Sequence, residues 1–81
     1  MQVRIRLGAG LARLASAPLH ALELDEGATV ADACRRLAAD QPQLAGAIDA
    51  ALPVVGGAHA ERSSPLHHGD ELALLTPVAG G

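Results

Sequence analysis

The sequence predicts an α+β fold in which one main helix packs across a mixed sheet of about five strands, and three observations carry that expectation. Residues 2 to 7 alternate, with Val3, Ile5 and Leu7 on one face and Gln2, Arg4 and Arg6 on the other, the period-two pattern of a half-buried strand. Val30, Ala33, Cys34, Leu37 and Ala38 recur at helical spacing and form one apolar stripe. Short apolar runs bounded by turn residues fill much of the remainder. A chain of 81 residues has material for one core, and a helix laid over a sheet buries the stripe and the strand face together.

The elements follow in order. After the first strand, Gly8 and Gly10 break the alternation, and Leu11, Leu14 and Ala15 suggest a helical turn or packed loop before Ser16-Ala17-Pro18. A second strand is expected from Leu19 to Leu24, with Leu22 and Leu24 inward, and Asp25-Glu26-Gly27 supplies its closing turn. Thr29 can cap the main helix and Asp32, three residues on, can answer it as a short capping box. Pro42 ends that helix, because the residue before a proline is pushed out of the α region, and Leu44 to Ile48 can add a further turn. Leu52 to Val55, Gly56-Gly57 and Ala58 to Ala60 read as strand, two-residue turn and strand, with Pro53 placing its strand at an edge or at that strand's beginning. Loops through Ser63-Ser64-Pro65 and His67-His68-Gly69-Asp70 lead to a last strand, Glu71 to Leu75, with Leu72 and Leu74 facing the helix and Ala73 and Leu75 facing away. The domain is thus expected to occupy residues 1–75.

Residues 76–81, Thr-Pro-Val-Ala-Gly-Gly, are then expected to form a flexible, extended C-terminal tail. Pro77 cannot donate to a ladder, so the sheet stops there. Six extended residues span roughly 20 Å, enough to enter a neighbouring protein's cleft. Gly80 and Gly81 carry no Cβ and can thread a channel too narrow for a side chain, bringing a terminal carboxylate to chemistry performed by another protein. A frayed end would also be rich in small residues, but it would normally be polar, and Pro77-Val78-Ala79 is not.

Composition narrows the function classes. Hydrophobic residues make up 49% of the chain and none is aromatic, so the core is aliphatic and a large walled pocket is hard to build; an autonomous active site is not expected. A net charge of −3, with no basic stripe and no stacking platform, argues against nucleic acid. All six cations are arginine, so no lysine side chain could accept an isopeptide bond. The single cysteine, Cys34, excludes an internal disulfide, and neither a signal segment nor a long apolar span is evident; the expected setting is the cytoplasm, without membrane contact.

These residues resemble the ubiquitin-like sulfur carriers of the MoaD/ThiS type, which have the β-grasp fold, and most closely the small subunit of molybdopterin synthase. The resemblance runs over nearly the whole chain: the Val-x-Ile-x-Leu strand, the helix opened by Thr29-Val30-Ala31-Asp32, and above all the block from Leu66 through Gly69-Asp70-Glu71 and Pro77-Val78 to Gly80-Gly81. Gly56-Gly57 stands where the family usually has Asn-Gly, and aliphatics stand where its first and last strands often carry aromatics. The resemblance implies that a ubiquitin-activating-type adenylyltransferase, using its own ATP and magnesium, adenylates the Gly81 carboxylate. A persulfide sulfur donor then displaces AMP and leaves a thiocarboxylate. In the large subunit of molybdopterin synthase that sulfur would help build the dithiolene of the molybdenum cofactor. Gly81 would carry the sulfur, Gly80 would permit passage, and Ala73, Leu75, Pro77, Val78 and Ala79 would dock the partners. No cofactor is expected on this chain. Alternatives are a carrier for thiamine or cysteine biosynthesis, a ubiquitin-like modifier and a plain interaction domain.

Other candidates have simpler explanations. Adjacent His67 and His68 rarely converge on one ion, and no further ligand stands at metal-binding spacing, so turn histidines are expected and a metal is not. Cys34 falls on the apolar stripe, where cysteine behaves as a small buried hydrophobe. Asp70 and Glu71 could pair as carboxylates, although a turn before a strand favours such residues anyway.

Overall fold

The structure is a computed structural model, and it describes residues 1–77. Strand β1 (Gln2–Leu7) is followed by a short helix α1 (Ala9–Ala12), strand β2 (Leu19–Glu23) and the main helix α2 (Val30–Asp40). A 3-10 turn (Pro42–Leu44) leads into α3 (Ala45–Ala50), and strands β3 (Leu52–Val55), β4 (Ala58–His59) and β5 (Glu71–Leu75) complete the chain. The five strands form one sheet in the order β2-β1-β5-β3-β4. Its centre is the parallel pair β1 and β5, and every other pairing is antiparallel, so the sheet is mixed.

Helix α2 forms where its stripe and its cap coincide. Thr29 Oγ1 accepts from the Asp32 N–H at 3.2 Å and the Asp32 carboxylate accepts from the Thr29 N–H at 2.9 Å, which satisfies two amides that the first turn leaves without partners. Val30, Ala33 and Leu37 are fully buried beneath it against Ile5, Leu72 and Leu74. Leu44 and Ile48, from the two short helical pieces after Pro42, close one end of the same core. Among the described residues the core contains no polar or charged side chain, and no helix is long and apolar enough to cross a membrane.

Four local expectations are adjusted. Strand β2 ends at Glu23, and Leu24 is only half-buried, although its N–H still pairs with the Met1 carbonyl. Leu14 lies outside α1 and is 51% exposed, because the helix stops at Ala12. The hairpin's second strand has two residues, one fewer than expected. Pro53 lies inside the sheet, since β3 runs between β5 and β4, yet the ladder tolerates it. Its carbonyl accepts from Ala60, so its missing donor faces the side where the two-residue β4 has already ended. The turn before β4 keeps both glycines at positive φ, 60° at Gly56 and 81° at Gly57, the conformation that a tight two-residue hairpin needs.

Candidate functional site

Strand β5 alternates sharply. Leu72 and Leu74 are completely buried under α2, while Glu71, Ala73 and Leu75 point to the face that no helix covers. Register fixes their neighbours on that face. Ala73 lies between Arg6 of β1 and Val54 of β3, Leu75 lies opposite Leu52, and Arg6 lies opposite Leu19. Leu75 is 41%, Leu52 44% and Leu19 38% exposed, and Ala73 and Val54 are half-buried. The uncovered face is therefore an apolar patch rather than the polar surface usual for the solvent side of a sheet.

Charge is concentrated beside that patch. The Arg6 side chain donates to Glu71 from Nε at 3.1 Å and from Nη2 at 3.3 Å, and Arg4 Nη2 stands 4.0 Å from the same carboxylate. The Arg6 hydrogen bond, reinforced by the charges of Arg6 and Arg4, holds the Glu71 carboxyl below its ordinary range, and Arg6 is held correspondingly above its own. Two arginines thus share one carboxylate beside the leucines of this face.

Thr76 and Pro77 follow β5 and are exposed, and Pro77 comes two residues after Leu75 along the chain. Because β1 and β5 run parallel, both strands end at the same side of the molecule. There the Gly8 N–H donates to the Leu74 carbonyl at 2.9 Å, which brings the start of α1 against the end of β5. Of the residues expected to bind partners, Ala73 and Leu75 share the helix-free face of β5 and Pro77 follows beyond the strand; Val78, Ala79, Gly80 and Gly81 lie outside the described residues. Arg4, Arg6, Leu19 and Leu52 were not picked out as part of the site from sequence. Alternation marks Arg4 and Arg6 as one face of β1, but only strand order reveals that they share it with Leu19, Leu52, Ala73 and Leu75.

The remaining candidates serve the fold. The His67 backbone N–H donates to the Asp70 carboxylate at 2.8 Å and its ring Nδ1 stands 3.7 Å from the same carboxylate, whereas His68 Nδ1 accepts from the Gln2 N–H at 3.0 Å, so the two rings meet different partners. Asp70 and Glu71 bind different partners and do not form a carboxylate dyad. Among the described residues no group of three His, Cys, Asp or Glu side chains converges on a metal-sized site. Cys34 is 5% exposed at the floor of a cavity of about 240 Å³ bordered by Asp49 and Arg62. Burial pushes its thiol upward and Asp49 adds to this, while Arg62 opposes it, so the thiol is a weak nucleophile at neutral pH.

Comparison with known proteins agrees with this arrangement. A comparison with curated proteins finds no match. Among solved structures, SAMP1 from Haloferax volcanii is similar over the full length of both chains at 30% identity, with a TM-score of 0.90. A putative molybdopterin converting factor subunit 1 from Pyrococcus furiosus shares 20% identity over 96% of this chain and 99% of that one, with a TM-score of 0.84. A chain from the complex of subunits 1 and 2 of molybdopterin-converting factor from Helicobacter pylori 26695 shares 18% identity over the full length of both, with a TM-score of 0.73. The fold is the ubiquitin-like β-grasp. The ThiS family profile matches residues 5–81, from the first strand through both terminal glycines, and the chain belongs to that family of ubiquitin-like sulfur carriers.

Proposed function

We propose that this protein carries sulfur on the carboxyl group of Gly81 and delivers it to molybdopterin, acting as the small subunit of a two-subunit synthase. The observation that carries the reading is the reach of the family match, which continues through Gly80 and Gly81 rather than stopping at the sheet. A carboxylate is a poor electrophile. An activating enzyme would transfer AMP from ATP to the Gly81 oxygen with release of pyrophosphate, after which a persulfide sulfur would attack the carbonyl carbon and expel AMP. Reductive cleavage of the resulting acyl disulfide by a thiol would leave the thiocarboxylate. The ATP and magnesium belong to the activating enzyme.

The body's contribution is docking. Ala73, Leu75 and Leu52 offer an apolar surface adjoining Pro77, and Arg4 and Arg6 give it a positive margin that suits an acidic rim on a partner. The Helicobacter pylori complex, in which a protein of the same fold is seen with a second subunit, supports a large-subunit partner. Thiamine and cysteine biosynthesis use the same tail chemistry and differ in the acceptor.

A second reading, a protein modifier, is favoured by the 30% identity to a small archaeal modifier protein. One experiment separates the possibilities. The protein is incubated with an activating enzyme, ATP and a sulfur donor, and its intact mass is measured before and after addition of a large synthase subunit and cofactor precursor. Replacement of one oxygen by sulfur, reversed in the second step, is the expected result. A sulfur gain that persists redirects the carrier to another acceptor; conjugates to target lysines that survive boiling and reductant favour the modifier; no mass change with any active enzyme overturns the carrier reading.

A further inference from the structure

Gly10 is a glycine whose backbone does not require one. It sits within α1 at ordinary negative φ, where glycine destabilises a helix by about 1 kcal/mol relative to alanine. What distinguishes it is space. A Cβ at Gly10 would lie 2.7 Å from Thr76 Oγ1, 3.5 Å from Thr76 Cβ and 3.7 Å from Thr76 Cγ2. The helical Gly46 of α3 meets nothing within 4 Å, so a close approach of this kind is not a general property of the chain's helical glycines.

We propose that Gly10 is a positioning residue for the tail: the bare face of α1 seats Thr76 and so sets the direction in which the chain leaves β5. The contact is anchored on both sides. Gly8, the residue that opens α1, is tied to the Leu74 carbonyl at 2.9 Å, and the Ala12 N–H returns to the Gly8 carbonyl at 2.9 Å. Helix α1 is thus fixed relative to the last residues of β5, and Thr76 is the first residue beyond the sheet. Parallel pairing of β1 with β5 makes the contact possible, because it brings α1 and the exit of β5 to one end of the sheet. This inference rests on the carrier reading for its consequence. The direction of its root sets the volume that the tail beyond Thr76 can sample, and so how often the terminal carboxylate meets an activating site in productive geometry.

Alanine at Gly10 can be accommodated in part by rotation of the Thr76 side chain, so valine is the decisive substitution and Thr76→Gly its rescue. Four proteins are compared: wild type, Gly10→Val, Thr76→Gly and the double variant. Steady-state charging by an activating enzyme should show kcat reduced about tenfold or more for Gly10→Val, with a smaller change in KM, because Ala73, Leu75 and Leu52 stay in place and only Pro77 moves with Thr76. The double variant should regain most of the lost kcat, and melting temperatures should not follow that order. The backbone N–H residual dipolar coupling of Thr76, which needs no enzyme, should change in Gly10→Val. Wild-type kcat in Gly10→Val, an unchanged Thr76 coupling, or no recovery in the double variant would each overturn the proposal. If no activating enzyme charges even the wild type, the carrier reading falls, and the Thr76 coupling still decides whether Gly10 orients the exit of β5.

Discussion

Cys34 and Arg62 show how differently two residues in one small cavity can be read. The thiol lies on the stripe of α2, is 5% exposed and is held above its ordinary pKa chiefly by burial. Its burial was legible from spacing alone, since a cysteine at a core position is a small hydrophobe. Alkylation of the native protein by iodoacetamide at pH 8 should run about tenfold or more slower than that of the urea-unfolded chain, and equal rates would contradict the burial. Arg62 was not legible. Its Nη2 donates to the carbonyls of Ile48 at 2.8 Å, Asp49 at 3.2 Å and Ala51 at 3.0 Å, closing the C-terminal end of α3 from a loop eleven or more residues away. No local pattern announces a tertiary cap. Arg62→Ala should lower unfolding free energy by about 1.5–3 kcal/mol, and Arg62→Lys should restore only part of it, because a lysine ammonium has donors enough for the three carbonyls but sits closer to the backbone than Nη2 and falls short of them. Urea denaturation of the three proteins measures this directly.

At the scale of elements, the two that could be read most fully are those whose pattern and ends agree. Helix α2 has its stripe, its capping box and a proline that stops it, and each appears where the residues placed it. Strand β5 has clean alternation between a turn and Pro77. The elements read less accurately lack one of those signals: α1 has no side-chain cap and holds a glycine, and β4 has two residues and so no period to recognise. Pro53 suggested an edge because a proline removes a ladder donor, but the hydrogen-bonding side of a strand residue depends on register, which the sequence does not state. The cap offers a quantitative check. Thr29→Ala should destabilise the protein by about 1 kcal/mol. Asp32 adds a pH dependence, because the Thr29 backbone and hydroxyl hydrogen bonds lower its pKa below the ordinary value. A carboxylate depressed in the folded state contributes stability that is present above its unfolded pKa and is lost as pH falls through the folded one. Stability should therefore fall on acidification below about pH 4, and Asp32→Asn should be less stable at neutral pH with a shallower acid loss. An identical slope in the variant would exclude the cap as its source.

Across the whole molecule, sequence order and spatial order part company, and the helix-free face is assembled in that gap. Leu19, Arg6, Ala73 and Val54 come from four strands and form one row only because β5 inserts between β1 and β3. The tail and its immediate strand could be recognised from contiguous residues; the rest of the face required the crossover. If that face docks a partner, an acidic substitution at the end of β5 should repel the surface that Arg4 and Arg6 attract, while leaving the buried side of β5 untouched. Leu75→Glu is expected to shift unfolding free energy by no more than about 0.5 kcal/mol, since Leu75 is 41% exposed. It should raise KM for charging by the activating enzyme about tenfold with kcat unchanged, the pattern for loss of uniform binding. Leu14→Glu is the matched control: Leu14 is 51% exposed, and its carbonyl accepts from Gln43 on the helical side of the sheet. Equal KM values for the two variants would show that exposed leucine in general, and not the row built around β5, governs recognition. A selective effect at Leu75 would assign docking to the helix-free face and leave the chemistry to the residues beyond Pro77.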